Sequence, residues 1–125
     1  MKRIGLAIIV LALLILPQAA LGNDAEPETF CDVFFKPAME GKSLKKVEVF
    51  KFNLNKSDMR ILRNAIYARH GRPFQSVELQ TYFYDKKKPC GMKFKVDPNY
   101  SEDKLSKTDK SNIMLIKKWE AEKKK

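Results

Sequence analysis

The chain has 125 residues, a net charge of +10 at neutral pH and two cysteines. Beyond an apolar N-terminal run, about 100 residues remain, enough for one modest hydrophobic core, and this length excludes a second domain. The positive charge suits polyanionic partners, although a solvated surface that merely keeps a protein in solution has the same composition.

The first segment in chain order, residues 1–22, is a predicted signal peptide. Met1-Lys2-Arg3 supplies positive charge, residues 4–16 form an apolar run that is short for a membrane span, and Ala20 and Gly22 offer small residues at a cleavage site. We expect cleavage after Gly22, export to the periplasm or the extracellular medium, and no transmembrane anchor after cleavage. An uncleaved N-terminal anchor is the alternative.

The segment after the expected cleavage site divides into a leader, a domain and a tail. Residues 23–29 predict a flexible acidic leader, residues 30–120 the domain and residues 121–125 a basic tail. Phe30 to Phe35 is short and apolar and predicts a strand or an extended segment. Val47 to Phe52 is rich in β-branched and aromatic residues and predicts a second strand, which could pair with the first in an antiparallel element.

Three helices follow in the prediction. Asn55 is placed to cap the first, an apolar stripe continues it, and Gly71 ends it. A second, short helix is predicted to begin at Ser76, and the last to begin near Ser106. Between these two, Phe94 alternates with lysines as in a half-exposed strand or extended stretch. The expected fold is therefore a small α+β domain, with two to three helices packed on a short antiparallel strand element.

Cys31 and Cys90 are the two cysteines, and we expect them to form a disulfide because an exported chain reaches an oxidising compartment. A metal site formed by both cysteines and His70 is a weak alternative, since the three donors lack the short spacing of zinc sites. No metal site and no cofactor is expected.

The pentapeptide Tyr67-Ala68-Arg69-His70-Gly71 is the most distinctive motif. Together with Arg63-Asn64 before it, and Phe74, Leu79-Gln80, Tyr82-Phe83 and Asn112-Ile113 after it, it resembles the YARHG domain family over roughly residues 54–120. The resemblance implies a small, helix-rich domain found in exported or envelope-associated bacterial proteins. It carries over no catalytic residue and no ligand.

The same region supplies the candidate binding residues, which are Arg63, Asn64, Tyr67, Arg69 and His70. On a helix, Arg63, Tyr67 and His70 share one face, so that a guanidinium, a phenol and an imidazole could form an anion or sugar site. The alternative is structural: the tyrosine packs, the histidine and glycine end the helix, and the arginines bind carbonyls of nearby loops.

No phosphate loop, serine elbow or metal-spaced cluster accompanies these residues, so no catalytic residue is assigned. We expect an exported, non-catalytic envelope module that binds an anionic cell-envelope polymer or an envelope protein through a basic face. A cell-wall-modifying enzyme and a small secreted effector are the alternatives. Nucleic acid is not an expected partner, because no binding motif supports it, and the oligomeric state stays open.

Overall fold

The computed structural model describes residues 29–45, 51–85 and 89–123. The predicted signal peptide and nearly all of the predicted leader lie outside these residues. In chain order, the α-helices are α1 (Lys36–Met39), α2 (Lys56–Arg69), α3 (Val77–Gln80) and α4 (Lys107–Glu122). A π-helical turn, Cys31–Phe35, runs into α1, and a second, Thr81–Asp85, extends α3. Short 3₁₀ turns occur at Pro89–Gly91 and Glu102–Lys104.

The predicted α+β class is wrong, since the described stretches contain helices and no strand. Phe30 to Phe35 is helical, with Phe34 and Phe35 fully buried. A short apolar run fits a buried helical turn as well as a strand, and here the helical turn is found. In the second predicted strand, residues 47–50 lie outside the described residues, and Lys51 and Phe52 are helical. Residues 92–97 have no regular secondary structure.

Both long helices begin as predicted, each with a capping box. At α2, the Asn55 side chain accepts from the Asp58 backbone N–H at 2.8 Å, and Asp58 accepts in return from the Asn55 N–H at 3.1 Å. At α4, Ser106 and Asp109 exchange the same two bonds at 3.0 and 2.9 Å. Each box satisfies donors that a helix N-terminus otherwise leaves unpaired.

The two long helices pack against each other and run antiparallel. Arg69, at the end of α2, meets Asp109 at the start of α4, whereas Arg63, in the middle of α2, meets Glu120 near the end of α4. The π-helical turn Cys31–Phe35 and α1 together form the N-terminal helical segment, and the core lies between this segment and the two long helices. Its fully buried apolar side chains are Phe34, Phe35, Ala38, Met59, Leu62, Ala65, Ile66 and Ile116.

Aromatic contacts connect the core to segment 92–97 and to the π-helical turn that follows α3. Phe94 stands edge-on to Phe35, with ring centroids 6.0 Å apart, and edge-on to Phe83 at 5.5 Å. The Cys31–Cys90 disulfide joins the same two parts of the chain across 59 residues. The N-terminal helical segment is thus held by both packing and a covalent link.

Buried Asn112 of α4 fixes the chain that follows α1. Its side-chain oxygen accepts from the Leu44 backbone N–H at 3.0 Å, and its amide donates to the Lys42 carbonyl at 2.8 Å. An amide that both accepts and donates satisfies two backbone groups of an otherwise irregular segment.

Candidate functional site

The motif Tyr67–Gly71 forms the last turn of α2 and its C-terminal end. Gly71 has a φ of +84°, which favours glycine, and its carbonyl accepts from the Asp97 backbone N–H at 2.8 Å. A Cβ at Gly71 would lie 2.5 Å from the Asp97 Cβ and 2.6 Å from the Asp97 nitrogen. The glycine is therefore required both by the left-handed turn and by the close approach of segment 92–97.

Arg69 and His70 converge on the fully buried carboxylate of Asp109. Arg69 donates to Oδ1, while Oδ2 lies 2.9 Å from His70 Nε2 and accepts from the Ser106 backbone N–H. Burial alone would raise the pKa of Asp109. The hydrogen bonds from Ser106 and His70 and the positive charge of Arg69 outweigh burial and lower this pKa below its ordinary value.

The same contacts assign the histidine tautomer. His70 Nε2 lies 3.1 Å from an Arg69 nitrogen and 2.9 Å from the Asp109 carboxylate. A guanidinium nitrogen can only donate and a carboxylate oxygen can only accept, so a single ring nitrogen cannot bond well to both. The ionised Asp109 attracts a proton to Nε2, and the imidazole therefore donates to Asp109 through Nε2–H.

Arg69 also reaches the N-terminal part of the domain. A second guanidinium nitrogen donates to the Met39 carbonyl at the end of α1, at 2.9 Å. One side chain thus joins α1, α2 and α4, and the planar fork of arginine suits such a divided set of acceptors better than a lysine would.

The other three candidate residues also make contacts within the domain. Arg63 forms a two-point ion pair with Glu120, at 2.8 and 3.2 Å. Asn64 donates to the Arg60 carbonyl one turn earlier, at 2.8 Å. Tyr67 is buried, with the Arg72 guanidinium 4.4 Å from its ring centroid. The structure therefore brings Arg69 and His70 together and places Arg63 at a separate ion pair.

Two acidic partners of this cluster were not among the candidates derived from the sequence. Asp109 was visible only as an acidic residue three positions after a helix-capping serine, and Glu120 carried no signal at all. Both lie far from the motif in sequence, and they meet it only because α2 and α4 pack antiparallel in this register.

The outward face of α4 forms a different kind of surface. Buried positions 109, 112, 113, 116 and 119 define its inner side. The outer side carries exposed Lys107, Lys110, Lys117 and Lys118, with Met114 among them at 73% exposure. None of these four lysines forms an ion pair with any described residue. We call these four lysines and Met114 the basic face.

A cavity of about 350 Å³ lies elsewhere, beside the N-terminal helical segment. Its lining includes Lys42, Lys45 and Lys51 together with Asp32. Lys42 is ion-paired with Glu40, and Asp32 is ion-paired with Lys36. The mixed charges make this cavity a poorer match for an anion than the basic face of α4.

Within the described residues, the donors for metal or nucleophilic chemistry are sparse. No group of three histidine, cysteine or acidic side chains there could hold a metal ion. Both cysteines are consumed by the disulfide, so neither is a free nucleophile. None of the described helices has the length and apolar character required to cross a bilayer.

Fold and site together define a small, disulfide-linked helical domain whose distinctive motif ends one long helix. The family model of the YARHG domain matches residues 44–121, more than half of the chain, and the chain therefore belongs to the YARHG domain family. This is a small domain of the exported type whose function is unknown. No curated protein matches the chain, and no solved structure matches it either.

Proposed function

We propose that this protein is an exported, non-catalytic module that binds an anionic component of the cell envelope through the basic face of α4. The observation that carries the proposal is a set of four exposed lysines on one side of a single helix, none of which has an ion-pair partner among the described residues. Of the acidic side chains of α4, Asp109 and Glu120 point to α2 and are paired with arginines there, whereas exposed Glu122 is the last residue of the helix.

Two of the four lysines stand where the local electrostatics disfavour positive charge. Lys107 is the first residue of α4, and Lys110 lies one turn later. Both lysines lie at the positive end of the helix dipole, where cations destabilise the helix. Like charges one turn apart also repel. A bound anion would relieve both effects, so the unfavourable placement supports a role in binding.

The motif has a positioning role in this proposal. Arg69 and His70 hold Asp109, and the Asp109 carboxylate also accepts from the Ser106 backbone N–H in the capping box of α4. The first turn of α4, which carries Lys107 and Lys110, is thereby fixed to the end of α2. In this proposal Arg69 and His70 hold α4 in position, and the lysines of α4 contact the ligand.

Co-sedimentation with purified anionic envelope polymers and with envelope membranes, across a salt series, tests the proposal. The protein used is residues 23–125, which include every described residue. We expect retention that weakens as salt rises, because exposed charges are screened within about 10 Å at 0.1 M. Changing Lys107, Lys110, Lys117 and Lys118 together to Gln should abolish it.

The matched control changes four other exposed lysines to Gln, namely Lys45, Lys56, Lys93 and Lys95. It removes the same charge but leaves the basic face of α4 intact. Equal loss of retention in both variants would show that net charge, and no particular face, is responsible. Absence of retention by the unaltered protein would overturn the proposal and direct the search to a protein partner.

A further inference from the structure

We infer that the anionic component is the headgroup surface of a lipid bilayer, with Met114 inserted among the headgroups and the surrounding lysines paired with lipid phosphates. This inference rests on the proposed function, because it names the ligand of the same face. It adds an apolar contact, which the electrostatic proposal alone does not require.

Met114 is an exposed apolar side chain in the middle of the basic face. Met114 is 73% exposed, and it lies four residues from both Lys110 and Lys118 and three from Lys117. On a helix, residues at these separations are neighbours on one side. The apolar side chain is therefore surrounded by ammonium groups, with Lys107 two turns before it.

This arrangement fits the boundary between headgroups and acyl chains. Lysine stems lie along apolar surroundings while their ammonium groups stay with phosphates, and a central apolar side chain can enter the layer beneath them. Clusters of lysine on a helix are attracted to anionic lipid surfaces, at about fivefold in affinity for each lysine.

A sugar polymer fits the same face less well. Sites for such ligands are concave and offer apolar or aromatic walls with a few polar groups. The basic face is the outer side of a helix and carries no aromatic residue. The cavity found in the described part of the chain is lined by residues from 32–45 and by Lys51, and by no residue of α4. A convex, positively charged side suits a flat anionic surface.

Flotation with phosphatidylcholine vesicles, with and without phosphatidylglycerol, tests the inference on residues 23–125. We expect binding only when phosphatidylglycerol is present. Met114→Gln should weaken that binding roughly tenfold, because the polar amide loses the apolar contact, and Met114→Leu should retain it. Val77→Gln is the matched control, since Val77 is equally exposed, at 74%, but lies on α3. It should bind like the unaltered protein.

The outcomes separate the two proposals. Equal binding of Met114→Gln and the unaltered protein would overturn membrane insertion, as would a polyglycerol phosphate in solution binding the protein while vesicles do not. Either result would leave the proposed function standing, provided that the variant with all four lysines changed to Gln no longer binds the anionic ligand. Absence of binding to both vesicles and polymers would overturn the inference together with the proposed function.

Discussion

Arg69 and Asp109 form an ion pair that joins the C-terminal end of one long helix to the N-terminal end of the other. The carboxylate is fully buried, whereas the arginine keeps 24% of its side chain exposed. The pair links the family's motif, which contains Arg69, to the proposed binding helix, which contains Asp109. Substitution of Arg69 therefore reports on folding before it reports on any ligand, so ligand binding is better probed at the lysines of α4.

Asp109→Ala should strongly destabilise the domain. The change removes the carboxylate half of the α4 capping box and leaves Arg69 and His70 without their shared acceptor. We expect a cost of about 3 kcal/mol in the free energy of unfolding. Urea denaturation followed by circular dichroism measures the loss. The control is Glu78→Ala, which breaks the exposed pair with Arg60 and should cost less than about 1 kcal/mol. Similar losses in both variants would contradict the importance of the buried pair.

The lowered pKa of Asp109 predicts an acid-sensitive contribution to stability. A carboxyl whose folded pKa lies below its unfolded value stabilises the fold fully above the unfolded pKa, about 3.9 for Asp. That contribution disappears as the pH falls through the folded pKa. We therefore expect the urea midpoint to fall with acidification below about pH 4, and Asp109→Asn to flatten this fall.

The pKa of Asp97 is also lowered, mainly by its hydrogen bond with Lys104, but the Asp97 side chain is 35% exposed, whereas that of Asp109 is fully buried. Asp97→Asn is thus the comparison for Asp109→Asn. It should leave most of the acid-dependent decline in place, because an exposed pair contributes little. A decline that persists unchanged in Asp109→Asn would show that other carboxyls control the acid response.

Gly71→Ala should destabilise the domain more than Gly91→Ala. Both glycines have positive φ, so each substitution costs about 1 kcal/mol in backbone strain. Only at Gly71 would the added Cβ also meet the backbone of Asp97, whereas nothing lies within 4 Å at Gly91. We expect a total of about 3 kcal/mol at Gly71. Thermal unfolding of the two variants measures the difference, and equal melting temperatures would rule out the close approach.

The helix boundaries were predictable because their determinants are local. Asn55 with Asp58, and Ser106 with Asp109, lie three residues apart and specify a helix start without knowledge of the rest of the fold. The helical state of Phe34 and Phe35 was not predictable, since burial of both rings depends on partners such as Phe52 and Phe94. Short apolar runs leave strand and buried helix undecided.

The candidate site was predictable only in part for the same reason. The sequence pointed to Arg63, Arg69 and His70 as polar residues near one helix end, but the acids that pair with them lie about 40 to 57 positions away. Which acid meets which base depends on the direction and register of α4 against α2. A basic face was expected from the net charge without a location, and only the structure shows which lysines share one side of α4 and lack ion-pair partners in the described residues.

The Cys31–Cys90 disulfide should contribute strongly to stability, because it closes a loop across a separation of 59 residues. For a loop of this length the constraint on the unfolded chain amounts to about 4 kcal/mol. The family match begins at residue 44, but Phe34 and Phe35 before it are fully buried in the core. The disulfide therefore holds in place a segment that the core requires.

Reduction with dithiothreitol should lower the urea midpoint of the unaltered protein to that of the double variant Cys31→Ser, Cys90→Ser. The double variant should not respond to the reductant, which separates loss of the disulfide from other effects of the reagent.

Phe35→Ala in the oxidised protein should cost about 3 kcal/mol or more, since the ring is fully buried. An oxidised Phe35→Ala variant as stable as the unaltered protein would mean that the N-terminal helical segment is tethered by the disulfide without contributing to the core.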